Sequence, residues 1–287
     1  MGEPTRALVL AGGGVGGIAW ELGLVAGLHA GGADVTRPDL IVGTSAGSAV
    51  GTQIATGVPL ADLAAMQLSD DTAELSVDLD VEAYRARVAD LVAGAPDRAT
   101  ALARLGRMAL EADTVAEPVR REVIAARLPV QDWPPAGTPD RPRPRLALTA
   151  IDALTGELWV IDRDAGVPLV DAVAASCAVP GVWPPVTIGD RRCIDGGMRS
   201  YTNADLAGGH DRVLVAVPTP VEGPVADQLD AELASLDGAA TMVVAVDTAS
   251  IDAIGPNALD ASRRPLAYRA GKAQGEAAAD RVRAFWA

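Results

Sequence analysis

The sequence predicts an α/β fold: a three-layer α/β/α sandwich around a mostly parallel central sheet. Three stretches carry this prediction. An apolar strand, Arg6 to Leu10, runs into the glycine loop AGGGVGG and then into a helix from about Ile18 to Ala30. A second strand, Leu40 to Val42, runs into GTSAG and then into a small-residue helix reaching Thr56. Far downstream, RVLVAV and TMVVAV are nearly all-apolar runs, as expected of strands covered on both faces. Strand, turn and helix repeated in this way indicate parallel strands joined by crossover helices.

The remaining elements follow in chain order. The first helix is closed by Gly31 and Gly32 and the second by Gly57. Between Pro59 and about Leu128, apolar residues recur three and four apart, as in VEAYRARVADLV and VAEPVRREVIAARL, which predicts helices with solvated charged faces. Residues 129–144, PVQDWPPAGTPDRPRP, are too rich in proline for a central strand and predict a loop. We therefore expect a single domain, 1–287, in which 60–144 form a helical and proline-rich insertion or lid region. RLALTAID and ELWVID, separated by a turn, predict an antiparallel pair. PLVDAVAASCA predicts a helix stopped by VPG, and VTIG and RRCI flank a turn that leads into Asp195, Gly196 and Gly197. A helix is expected between RVLVAV and TMVVAV, and another from about Pro265 to Trp286.

Composition narrows the function. A formal net charge of -14 and a pI near 4.5 repel phosphate backbones, which argues against general nucleic-acid binding. The same charge offers no basic face to an anionic membrane, so lipid contact would need an apolar patch or pocket. Cys177 and Cys193 lack zinc-like spacing and read as buried reduced thiols, with no metal implied. The apolar start is broken by three consecutive glycines, unlike a signal peptide, and Arg6 stands where a myristoylation signal needs Ser or Thr. With no apolar run of roughly 20 residues, the expectation is a soluble cytoplasmic protein. Aromatic residues are 3% of the chain, so the core must rest on Ala, Val and Leu.

Chemistry concentrates at three places. Gly12, Gly14 and Gly17 match G-x-G-x-x-G after a strand, the fingerprint of a dinucleotide-binding enzyme. That reading needs an acid at the end of the second strand, where GTSAG stands instead; Asp39 is at the strand's other end. The same glycines can form an oxyanion hole, with amides of Gly13 and Gly14 joined by that of Ala46. Ser45, between Gly43 and Gly47, has the pattern of a nucleophile elbow, although a tight turn that only packs a helix would look similar. His210 follows Asp195 in the order of a Ser-Asp-His triad but sits in the turn before a strand. Active sites of parallel sheets gather at carboxyl ends. His29 lies in the last turn of a helix, where histidine serves the helix dipole or solvent. Asp195, at the end of its strand and followed by two glycines, is left as the base; the simpler reading is an ordinary Asp-Gly turn.

GGGVGG, GTSAG some thirty residues later and DGG far downstream together resemble the patatin-like phospholipase family. The resemblance extends to AASCAVPGVWPPV, TNADLA and GHDRVLVAV, and covers roughly 6–60 and 145–285. It implies a patatin-like fold, a Ser45-Asp195 dyad and an oxyanion hole built from Gly12, Gly13 and Gly14. The implied partner is a lipid or acyl-ester substrate, reached through transient membrane or micelle contact, with no cofactor. Gly16 stands where the family commonly has Arg or Lys, which removes a cation from the loop. A non-catalytic acyl-ligand binding module on the same fold is the alternative. Trp159 and Trp183 are candidates either for an acyl pocket or for the core.

Overall fold

The computed structural model describes residues 3–75, 77–137 and 144–287. Met1 and Gly2, and residues 138–143 of the expected proline-rich loop, lie outside the described residues. The first strand, β1 (Arg6–Leu10), leads into α1 (Gly14–Ala30), and β2 (Leu40–Gly43) into α2 (Ala46–Ala55). The expected helical stretch holds α3 (Leu60–Leu68), α4 (Val81–Val92), α5 (Arg98–Glu111) and α6 (Glu117–Ala126). Next come β3 (Arg145–Asp152), β4 (Leu158–Ile161), α7 (Leu169–Ser176), β5 (Val186–Ile188) and β6 (Arg191–Asp195). The chain ends in β7 (Arg212–Val217), α8 (Pro224–Ala234), β8 (Ala240–Ala245), α9 (Thr248–Ile254) and α10 (Arg264–Trp286).

One eight-stranded sheet organises these elements. β3, β2, β1, β7 and β8 run parallel in that spatial order, while β4 and β6 pair with β3 and β5 with β6, all antiparallel. Side chains alternate across β1: Leu8 and Leu10 enter the larger core with α1, α2, α7 and α10, and Ala7 and Val9 enter a second core under α8. These are the three layers expected. A third cluster joins Leu102, Leu105 and Met108 of α5 to Ile151 and Ile194.

Two details depart from expectation. The first helix begins at Gly14, not near Ile18. Glycine is a poor helix former, but the glycines of this first turn are held by tertiary contacts: the Gly16 amide donates to the Ala258 carbonyl at 2.8 Å, and Gly13 abuts Pro218. The second departure is β8. Although its sequence is nearly all apolar, it is the sheet edge, and only Val244 of its residues is buried. Among the described residues no helix is long and apolar enough to cross a membrane.

The register around β3 positions the functional residues. Leu148 faces Gly43 of β2 on one edge and Ile161 of β4 on the other. Ala150 faces Trp159 of β4 and Asp195 of β6. β6 therefore shares an edge of β3 with β2, and the two strands meet end to end from opposite directions. Their carboxyl ends point at one another, which brings the turn after Gly43 against the turn after Asp195.

Candidate active site

Ser45 leaves β2 on a strained turn, with φ 52° and ψ -112°, a conformation rare for a residue with a side chain. Strain of this kind costs about 1–3 kcal/mol and persists only where neighbours enforce it. Here the Ser45 amide donates to the Ser176 hydroxyl at 3.0 Å, and its carbonyl accepts from the Ser48 hydroxyl at 2.6 Å and the Cys177 thiol at 3.2 Å. Gly47 then lets α2 press onto β1, since a Cβ there would lie 2.0 Å from the Leu10 carbonyl oxygen. Cys177 is buried and reduced, and it holds the turn through that bond. Sequence reading missed Ser176, Ser48 and Cys177 as positioning residues because none belongs to the local motif.

Asp195 ends β6 and is 1% exposed. Its Oδ1 accepts the Gly197 amide at 2.7 Å. Burial pushes its carboxyl up to about 7, against the Ser45 hydroxyl and the Gly197 amide, which both favour the ionised form. Of the two groups that favour the ionised form, the Ser45 hydroxyl is the stronger, so it lies close to the carboxylate. Gly196 has no room for a Cβ, which would sit 2.2 Å from the Thr149 hydroxyl.

A buried polar network fixes the two turns relative to each other. The Thr44 hydroxyl lies 3.0 Å from that of Thr149, and Asn203 Nδ2 donates to Thr44 Oγ1 at 3.0 Å, to the Gly196 carbonyl at 3.3 Å and to the Ser200 carbonyl at 2.7 Å. Asn203 is fully buried with φ 49°, a left-handed position that asparagine tolerates better than most residues. Its place in TNADLA was legible only as part of a resemblance.

The glycine loop meets Ser45 from β1, since a Cβ on Gly12 would lie 3.5 Å from the Ser45 Cβ. Gly14 and Ala46 are the first residues of α1 and α2, so their amides have no intrahelical acceptor, and both helix amino termini converge on one small cavity with Ser45. Gly12 is a correction to the expected oxyanion loop. Its amide donates to the Tyr201 carbonyl at 2.7 Å and is not free for an oxyanion. The histidines lie elsewhere. His210, just before β7, is 3.0 Å from the Ala207 carbonyl through Nδ1, at the opposite end of the parallel strands from Gly43. His29 is exposed near Asp34.

The charged residues of the 60–128 stretch were expected on solvated faces, and three of them are not. Glu74 and Arg127 form a two-pronged buried pair, with both nitrogen-oxygen distances 2.7 Å. Burial alone would raise the Glu74 carboxyl, but Arg127 outweighs it and holds the carboxyl below its ordinary value. Arg120 is 4% exposed and stacks over Trp183, 3.6 Å from the ring centroid. Arg120, Arg127, Cys177 and Trp183 line the cavity at Ser45, which at about 20 Å³ holds roughly one water. Trp159 lies under Arg191 on the other side of β3 from Asp195. α4, none of whose residues is fully buried, lays half-buried Tyr84 close to Asp195: the partial burial first, then that carboxylate, push the phenol up. Replacing Glu74 with Ala should destabilise the protein by about 3–5 kcal/mol by stranding Arg127. Urea denaturation checks this, and an unchanged midpoint would mean the pair is solvated.

A mostly parallel sheet thus carries a serine on a strained strand-to-helix turn, with a buried aspartate near it and two helix amino termini converging there. A family model described as patatin-like phospholipase matches residues 8–207, and the chain belongs to that family, as a lipid ester hydrolase. Among solved structures it is similar to VipD from Legionella pneumophila, at 15% identity and a TM-score of 0.46, over 98% of this chain and 67% of that one. It is also similar to the type III effector protein ExoU, at 16% identity and a TM-score of 0.42, over 98% of this chain and 53% of that one. No curated protein matches the chain.

Proposed function

We propose that the protein cleaves carboxylic esters of lipids through a Ser45-Asp195 dyad. Ser45 attacks the ester carbonyl while Asp195 takes its proton and hands it to the leaving alcohol. Water activated by Asp195 then releases the acyl group from Ser45. Amides of Gly13, Gly14 and Ala46 hold the oxyanion, aided by the amino ends of α1 and α2. No step calls for a metal or cofactor. The observation that carries this reading is a buried carboxyl near pH neutrality, held by Gly197 against a serine on a strained turn. An aspartate of ordinary acidity is a weak base for a hydroxyl, and this environment strengthens it.

In this reading α4 and α6 of the 60–128 stretch cover the site, whereas residues 133–137 of the expected lid line a cavity with Arg6, Asp39 and Arg145 at the amino ends of β1, β2 and β3, the opposite end of the sheet from Ser45. Tyr84 approaches Asp195 and Arg120 closes over the Ser45 cavity, which is too small for an ester with its acyl chain. A neighbouring cavity of about 330 Å³ shares Val15, Ile18 and Arg127 with the Ser45 cavity and is lined further by apolar Met66, Val123 and Ala126 and by polar side chains that include Gln53, Gln67 and Glu74. We assign the acyl chain to it, entering from a membrane or micelle surface when the cover shifts.

Fluorophosphonate labelling followed by intact mass tests the dyad. Wild type and His210→Ala should label at comparable rates, Asp195→Asn far more slowly and Ser45→Ala not at all. Loss of labelling in His210→Ala as complete as in Ser45→Ala would replace the dyad with a triad.

A further inference from the structure

We propose that Glu232, on α8, is a positioning residue for the Ser45-Asp195 pair and acts on it through Asn203. This rests on the assignment of those two residues as the dyad, and it adds what holds them at reacting distance. α8 packs on the face of the sheet opposite α1 and α2, and Glu232 does not line the cavity at Ser45. Any effect it has on the reaction must therefore pass through other residues.

Asn203 reaches both catalytic turns. Its Nδ2 donates to Thr44, the residue before Ser45, and to the carbonyl of Gly196, the residue after Asp195. The spacing of nucleophile and base thus depends on where Asn203 stands. Its backbone is left-handed at φ 49°, a conformation that a residue with a side chain keeps only where neighbours enforce it. Glu232 enforces it from both sides: one carboxyl oxygen, Oε2, accepts the Thr202 hydroxyl at 2.5 Å and the Ala204 amide at 2.9 Å, and these residues flank Asn203. The Ser200 hydroxyl closes the loop by accepting the amides of Thr202 and Asn203 at 3.2 and 3.1 Å.

Glu232 is itself held. It is 4% exposed, and a carboxyl group at that depth needs its oxygens satisfied. Oε1 accepts Gln228 Nε2 at 2.8 Å, so each oxygen has a donor. Gln228 Oε1 in turn accepts Arg98 Nη2 at 3.0 Å, and Arg98 also donates to the Arg199 carbonyl. Bonds therefore run from α5 through α8 to the loop between β6 and β7. A leucine of similar size could fill the space of Glu232, but it offers no acceptor to Thr202 or Ala204.

The test is steady-state hydrolysis of 4-nitrophenyl butyrate. A misplacement of about 1 Å between reacting groups costs about 10²-fold in rate, so Glu232→Leu should lower kcat about 10–100-fold and leave KM within about twofold. Glu232→Gln, whose amide oxygen can take the place of Oε2, should recover most of kcat. Asn203→Gly accepts the left-handed backbone without strain and deletes only the side chain's bonds. It should lose at least as much kcat as Glu232→Leu, and the double variant should lose no more than Asn203→Gly alone, because one residue acts through the other. A Glu232→Leu protein that melts earlier with kcat unchanged, a change in KM alone, or additive losses in the double variant overturns the proposal. Should Glu232→Leu fail to fold, Thr202→Val, which replaces one hydroxyl by a methyl, decides in its place: a lower kcat at constant KM is expected, and an unchanged kcat overturns the role. If wild type cleaves no 4-nitrophenyl ester, or Asp195→Asn keeps full turnover, the dyad falls and this role with it. Full turnover in Glu232→Leu beside an inactive Asp195→Asn overturns the positioning role alone.

Discussion

Ser45→Ala is expected to lower kcat on a lipid ester by about 10⁶-fold, and Asp195→Asn by about 10²–10⁴-fold, with both proteins folded. The first change removes the atom that forms the acyl-enzyme. The second removes only the proton acceptor, so oxyanion donors and binding continue to contribute, and the loss is smaller. Circular dichroism alongside the rates is needed because both residues are buried. A folded Asp195→Asn protein with wild-type turnover would exclude the dyad. The variant should also be more stable than wild type at high pH. Asp195 titrates near 7 in the folded protein against 3.8 as the ordinary value. For a raised group, stability is fully present below the unfolded value and declines as pH rises through the folded one. Removing that charge should therefore restore on the order of 3–5 kcal/mol above pH 7 and almost nothing near pH 3.

The second large effect is on the pH profile. Because Asp195 must be ionised to accept a proton, kcat/KM should rise tenfold per pH unit up to about 7 and then level off. At pH 5 it should have fallen to about one hundredth of its plateau. Burial is the dominant cause of the shift, so a cover variant that admits water at Tyr84 should move the limb toward lower pH. An acid limb near pH 4 in wild type would show that water already solvates the carboxylate in the working enzyme.

Local chemistry was readable from the chain wherever it depends on neighbours in sequence. Glycines around Ser45 announce a tight elbow, and alternating apolar strands and helices announce a parallel sheet with two covered faces. Expectation failed where distant segments decide. TMVVAV has the composition of an inner strand, but among the described residues it pairs only with β7 and so lies at the edge. Arg120 falls in a helix whose charges suggested a solvated face, and only the packing of α6 against the cavity buries it. Gly12 looked like an oxyanion donor until Tyr201, nearly two hundred residues away, took its amide.

The sequence by itself determined the α/β class, the strand-to-helix elbow at Ser45 and the glycine loop after β1, since each follows from residues adjacent in the chain. Tertiary structure alone decided that Asp195 faces Ser45. Its strand runs antiparallel to β3, so a carboxyl-end rule for parallel strands does not place it. It arrives because β2 and β6 share one edge of β3 and meet end to end. The raised carboxyl of Asp195 likewise comes from burial, which only the assembled chain creates.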